Sequence, residues 1–317
     1  SGLPLVNNLF VYGGGPEFFA AKFSADGTQT LYSTYIGGTF DENAFDMAVD
    51  SAGNAYITGS STSTNFPTTA NAFDTTNNGG DAVLVKLSPN GQQLLYSTFY
   101  GGSSLERGRG VDVDDAGIAA ITGDTTSDNL PLVNAAQSKR GGGRDLYIAK
   151  LDTTQSGANS MVFSTYLGGT ADEDYNQVRG NVAMNADGDV SVATSTFSDN
   201  FPTTKGAYDE TFAGGGNPDA AAAKFSNAGF LQWSSYLGAT GSDSAYTVEL
   251  DNAGDTYVVG TTGSTTNFPT TEGAYNRTCS TGPVFVTKFN ADGNGLVWST
   301  CIAYAIPFGA KVDTAGN

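Results

Sequence analysis

Asp112 and Glu249 are the side chains of this sequence placed to do acid–base work. They occupy corresponding positions of a recurring unit, in line with Ala48, Ala183 and Lys311. If the strand carrying them lies innermost in a ring, the two carboxylates approach a shared channel. A pair separated by roughly 5–9 Å is what glycoside cleavage uses; a solvated channel that carries charge without chemistry is the alternative. The chain has no histidine, which removes Ser–His and Cys–His nucleophilic arrangements, and no Gly-x-Ser-x-Gly elbow is present. Two cysteines without histidine are also a poor zinc set.

Further candidates are acidic, aromatic and basic. Asp41, Glu42, Glu106, Asp172, Glu173, Asp174 and Asp243 sit in short links between strands. Carboxylates and carbonyls there could hold Ca²⁺, which takes six to eight oxygens; a solvated acidic rim is the other reading. Asn185-Ala186-Asp187-Gly188-Asp189 resembles a calcium loop but lacks the twelve-residue span and closing Glu, so it reads as an Asx-capped turn. Phe73, Tyr208 and Tyr275 fall at matching offsets, where they would stack on sugars or cap the core of a sheet. Cys279 precedes one strand and Cys301 ends the next, an arrangement open to a disulfide or to two buried thiols.

These residues are positioned by repetition. Lys22, Lys86, Lys150, Lys224 and Lys288 recur at intervals of 64, 64, 74 and 64 residues, each within an apolar run such as Ala82-Val83-Leu84-Val85-Lys86-Leu87. Leu3-Pro4, Phe66-Pro67, Leu130-Pro131, Phe201-Pro202 and Phe268-Pro269 keep the same rhythm. Such periods mark propellers or arrays. A lysine present in every unit suits a stem packed between units with its amine reaching the rim or a nearby carboxylate, rather than a ligand contact repeated round a ring.

Composition agrees with short strands and many turns. Of 317 residues, 42 are glycine and only 15% are charged, and the net charge is −18. So acidic a surface repels nucleic-acid phosphates and anionic lipid. No apolar stretch approaches the ~20 residues of a membrane helix, so neither nucleic acid nor membrane insertion is expected.

Within one unit, residues 45–50, 54–59, 82–87 and 94–100 read as four strands, with a tight Ser51-Ala52-Gly53 turn and a long polar Phe66-Pro67 loop. The third strand is apolar on both faces, and no helices separate the strands. Stacked antiparallel blades cover both faces of such a strand. The expected fold is therefore all-β, a propeller of four-stranded blades with about five represented. A partial blade spans 1–44, blades span 45–108, 109–177, 178–244 and 245–306, and a partial first strand spans 307–317. The incomplete ends favour a longer parent chain with further blades. Alternation along the chain places the long Phe-Pro loops and the acidic links on one face, where binding usually resides.

Leu94-Leu95-Tyr96-Ser97-Thr98, Val49 to Gly59 and Asn65-Phe66-Pro67-Thr68-Thr69 resemble the SBBP repeat, named for a seven-bladed β-propeller, and the strand order looks like that of the NHL repeat. The resemblance returns five times along the chain. Departures are an insertion at 152–160 and Thr300-Cys301-Ile302-Ala303-Tyr304 in place of the usual Thr-Tyr-x-Gly-Gly. It implies a secreted or surface-exposed, mainly microbial protein and brings no motif tied to a reaction. The expectation is a non-enzymatic extracellular scaffold, an adhesin or a subunit of an assembly, with itself or other extracellular proteins as partners. No cofactor beyond Ca²⁺ is implied. The rivals are a carbohydrate- or Ca²⁺-dependent binding propeller and a polysaccharide hydrolase or lyase using Asp112 and Glu249.

Overall fold

The computed structural model describes residues 3–173, 181–279, 283–304, 307 and 309–312. Among them, β1 (Phe18–Phe23) and β2 (Thr30–Ile36) pair as an antiparallel ribbon. β3 (Glu42–Val49), β4 (Ala55–Ser61), β5 (Asp81–Leu87) and β6 (Leu94–Tyr100) follow as a four-stranded antiparallel sheet in chain order. β7 (Glu106–Val113), β8 (Ile118–Thr125), β9 (Asp145–Asp152) and β10 (Met161–Leu167) form the next sheet. The third holds β11 (Val182–Met184), β12 (Val190–Thr196), β13 (Asp219–Phe225) and β14 (Leu231–Leu237), and the fourth β15 (Asp243–Leu250), β16 (Thr256–Thr262), β17 (Pro283–Phe289) and β18 (Leu296–Tyr304). Each sheet is blade-like. The helical content described is one 3₁₀ turn, Gly157–Ser160, inside the 152–160 insertion.

The first strands begin earlier than the apolar pattern indicates. β3 opens at Glu42 and β7 at Glu106, because both carboxylates are buried and bonded at the strand head rather than solvated. Val178 lies outside the described residues, and residues 307 and 309–312 carry no strand. β5, β9 and β13 are buried on both faces, apart from the half-buried Asp152 that ends β9.

The first-to-second strand turns share one construction. Asp50, Asp114, Asn185 and Asp251 each accept the backbone N–H four residues on, at 2.8–2.9 Å. Gly53, Gly117, Gly188 and Gly254 then take φ of +79° to +90°, a region open to glycine at little steric cost. Asn185 to Asp189 is one of these turns.

The chain divides into two compact units, Ser1–Pro131 with Lys150–Val162, and Leu132–Ala149 with Phe163–Asn317. Phe18, Ile57, Phe66, Val83, Val85, Leu87 and Phe99 belong to the core of the first, so the Phe-Pro loop folds its aromatic ring inward. In the second, Trp233, Leu237, Val258, Phe268, Phe285 and Phe289 play the same part. Cys279 and Cys301 are joined as a disulfide within this core, their Cα atoms 5.5 Å apart. Cys301→Ser, or reduction, is expected to lower stability by about 3 kcal/mol, the loop-closure entropy returned to the unfolded chain. Thermal midpoints with and without reductant check this; an unmoved midpoint counts against it.

Candidate functional site

The chemistry-bearing groups gather where the fourth strand of one repeat passes through Gly-Gly into the first strand of the next. Glu106 heads β7 and is fully buried. Thr125 Oγ1–H donates to its Oε1 at 2.7 Å, and the Gly102 N–H donates to Oε2 at 2.8 Å. Glu42 is held alike by the Ser61 hydroxyl (2.8 Å) and the Gly38 N–H (3.0 Å). Glu173 accepts from the Thr196 and Ser198 hydroxyls at 2.8 and 2.6 Å. Asp243 accepts from the Thr262 and Ser264 hydroxyls and from the Ala239 N–H.

A second acid stands opposite, at the head of the third strand. A Cβ on Gly101 would lie 2.6 Å from the Asp81 carboxyl carbon and 2.6 Å from Glu106 Oε2. Gly168 separates Asp145 from Glu173 and Gly238 separates Asp219 from Asp243 in the same way, whereas Gly37 lies between the Glu17 methylenes and the Glu42 carboxyl. Glycine is therefore required here for space: any side chain would occupy the gap between two carboxyls. Burial pushes Asp81 up to about 7, with the Glu106 and Asp74 charges adding to it. Burial also pushes Glu173 and Asp219 up to about 7, and raises Glu106 and Asp243. The acidic links are accordingly no solvated rim at Glu42, Glu106, Glu173 and Asp243. Asp41 and Asp172 are exposed, and Asp174 lies outside the described residues. Among the described residues no three His, Cys, Asp or Glu side chains gather closely enough to hold a metal ion.

The recurring lysines join successive repeats. Lys22 Nζ donates to the Pro89 carbonyl at 3.1 Å, Lys86 to Thr153 Oγ1 at 3.2 Å, and Lys224 to the Ala291 carbonyl at 3.3 Å, each 67 residues ahead. Lys288 instead pairs with Asp251 and Asp255 of its own repeat, at 3.1 and 2.9 Å. Arg107 and Arg109 both clamp Asp124 at 2.8 Å, and the Arg109 guanidinium lies over the Phe45 ring.

Asp112 and Glu249 belong to different units; Asp112 is half-buried and accepts the Val113 N–H, and Glu249 pairs with the exposed Lys311 at 2.8 Å. Phe73 is half-buried against Tyr100, and Tyr208 packs edge-on to Phe289 at the core margin. Tyr275 is 88% exposed. In the first unit, a polar pocket of about 380 Å³ is lined by Asp74, Asn78, Gly101, Gly102, Ser103, Asn129 and Pro131. Asp81, Asp145 and Asp219 escaped sequence reasoning, although each stands five residues before a recurring lysine.

From a fourth strand to the next Phe-Pro loop the chain thus runs through a Gly-Gly or Gly-Ala link, an acid-headed first strand and a second strand. The family model for the SBBP β-propeller repeat matches two such stretches, residues 31–67 and 232–269. At these two stretches the chain is similar to the SBBP repeat. Each matched stretch runs from a fourth strand to the next Phe-Pro, so the SBBP unit crosses the junction at which the carboxyl pairs form.

No curated protein sequence matches the chain. One similar solved structure is described as a polysaccharide lyase of a new family, PL25, an ulvan lyase bound to -[GlcA(1-4)Rha3S]-. It covers 92% of this chain with a TM-score of 0.45 and 12% identity, and this chain covers 63% of that one. The expectation of a non-enzymatic protein is corrected by this neighbour, itself an enzyme. The likeness assigns no activity to this chain.

Proposed function

We propose that this SBBP chain is a secreted or cell-surface scaffold, an adhesin or a subunit of an extracellular assembly, with itself or other extracellular proteins as partners. The observation that carries this reading is the use of its charged residues. In a chain with few charges, lysines and strand-head acids are spent on bonds within the fold, three of the lysines reaching into the next repeat. Such bonds favour a rigid frame of repeats over an adaptable site. The Cys279–Cys301 disulfide supports an oxidising compartment. The test is electron microscopy and sedimentation of the native full-length protein, with fractionation of the producing cells. Ordered assemblies or cell-surface retention are expected. A monomer confined to the cytoplasm would end the proposal.

The polar pocket favours a second reading, a glycan-binding module. Asp74, Asn78 and Asn129 offer hydrogen-bonding groups within about 380 Å³, a volume suited to one or two sugar rings. A glycan array run with calcium and with chelator tests it. Binding weakened at least tenfold by Asp74→Ala is expected, and silence across the array removes the reading.

A further inference from the structure

Asp81 Oδ1 and Asp219 Oδ1 are buried and have no hydrogen-bond partner. Each flanks, together with an oxygen of the partner acid, the space left by a glycine: a Cβ on Gly101 would be 2.7 Å from Asp81 Oδ1 and 2.6 Å from Glu106 Oε2. On Gly238 it would be 2.7 Å from Asp219 Oδ1 and 2.9 Å from Asp243 Oδ2. The other acceptor positions are already filled by donors. Asn78 N–H serves Asp81 Oδ2, Ala213 N–H serves Asp219 Oδ2, and the hydroxyls and link amides serve Glu106 and Asp243.

We propose that each of these pairs is a proton-binding site, one O–H bridging Asp81 to Glu106 and another bridging Asp219 to Asp243. The bridge gives the orphaned oxygen a partner and leaves a single negative charge in the pair. An unprotonated pair would bury two like charges with one lone pair unsatisfied. Calcium suits the site less well, because N–H and O–H donors point at these carboxylates where a cation would need further oxygens. The other charged groups facing the pairs are mostly acidic. Asp74 faces Asp81, and Asp209 faces Asp219. Asp124 faces Glu106 but is held by Arg107 and Arg109.

Carboxyls raised to about 7 in the folded protein, against about 4 when unfolded, bind more protons folded than unfolded between those values. Stability from the pairs is complete below that window and declines as pH rises through it. Asp26, lowered to about 2 by the Ser24 hydroxyl, acts in the opposite sense but below the window. SBBP repeats joined this way are tightest at mildly acidic pH.

The test is thermal unfolding of the whole chain from about pH 5 to about pH 9, with Asp81→Asn, Asp219→Asn and the double variant alongside. Asparagine keeps the shape and supplies a permanent N–H donor to the partner carboxylate. The wild-type midpoint is expected to fall by roughly 5–10 °C across the range. The double variant should lose at least half of that fall and exceed wild type at the alkaline end. Infrared spectra of the wild type at neutral pH should show the C=O band of a protonated carboxyl, fading as pH rises, which decides the matter even if the double variant misfolds. A flat or rising wild-type midpoint, a fall unchanged in the variants, or a missing band overturns the proposal. So does a midpoint raised by added calcium and reversed by chelator at constant pH.

Discussion

Gly123→Ala is expected to lower the stability of the chain by about 3 kcal/mol or more, a loss of roughly 10 °C in thermal midpoint. A Cβ on Gly123 would stand 1.6 Å from the Arg107 carbonyl oxygen, 2.8 Å from its carbon and 3.2 Å from the Arg109 nitrogen. All three are backbone atoms and cannot rotate away. They are there because the β7–β8 register shifts between Gly108 and Gly110, and this bulge turns a carbonyl into the space opposite. Gly59 and Gly260 face the same construction at the bulges of β3 and β15, 2.1 and 2.0 Å from a carbonyl oxygen. Gly206→Ala is the control. Its φ is +84° with no atom within 4 Å, so its cost is conformational alone, roughly 1–2 kcal/mol. Thermal and denaturant unfolding of both variants measures the difference; equal losses would show that space at the bulge is not the reason for glycine.

Asp124→Ala should cost a comparable 3–5 kcal/mol, because it takes from the buried Arg109 guanidinium the carboxylate that it meets at 2.8 Å. Arg109 is 1% exposed and meets Asp124 at 2.8 Å, whereas the Arg107 side chain is 28% exposed and loses little without its partner. The rescue is more diagnostic than the loss. Arg109→Met added to Asp124→Ala removes the buried charge and keeps a long apolar stem against Phe45, so the double variant should recover most of the stability. A double-mutant cycle by chemical denaturation reads this directly. Additive losses would mean that the pair is not energetically coupled.

The sequence was most legible where apolar runs meet turn residues. β5 and β6 lie within one residue of the spans read from Ala82–Leu87 and Leu94–Tyr100, since alternation and an Asn-Gly turn are local signals. The resemblance of the Tyr-Ser-Thr, Asp-Ser-Ala-Gly-Asn and Phe-Pro segments to the SBBP repeat is matched by the family model at two of the repeats. The acidic links were legible as a recurring set, but their burial was not. The hydroxyls that sequester Glu106 sit 19 and 21 residues further on, and the opposing Asp81 lies 25 residues before it. Distances of that kind are set only when strands from successive repeats meet.

By itself the sequence determined a chain of repeated four-stranded sheets, because strand period, turn chemistry and repeat length are properties of neighbouring residues. Tertiary structure alone decided what the charged residues are for. It turned Phe73 and Tyr208 toward the core, set Lys86 and Lys224 against the following repeat, and pressed Asp81 toward Glu106 and Asp219 toward Asp243 across a glycine. A carboxyl's protonation depends on how much water and which charges surround it, and those surroundings exist only once the chain has folded.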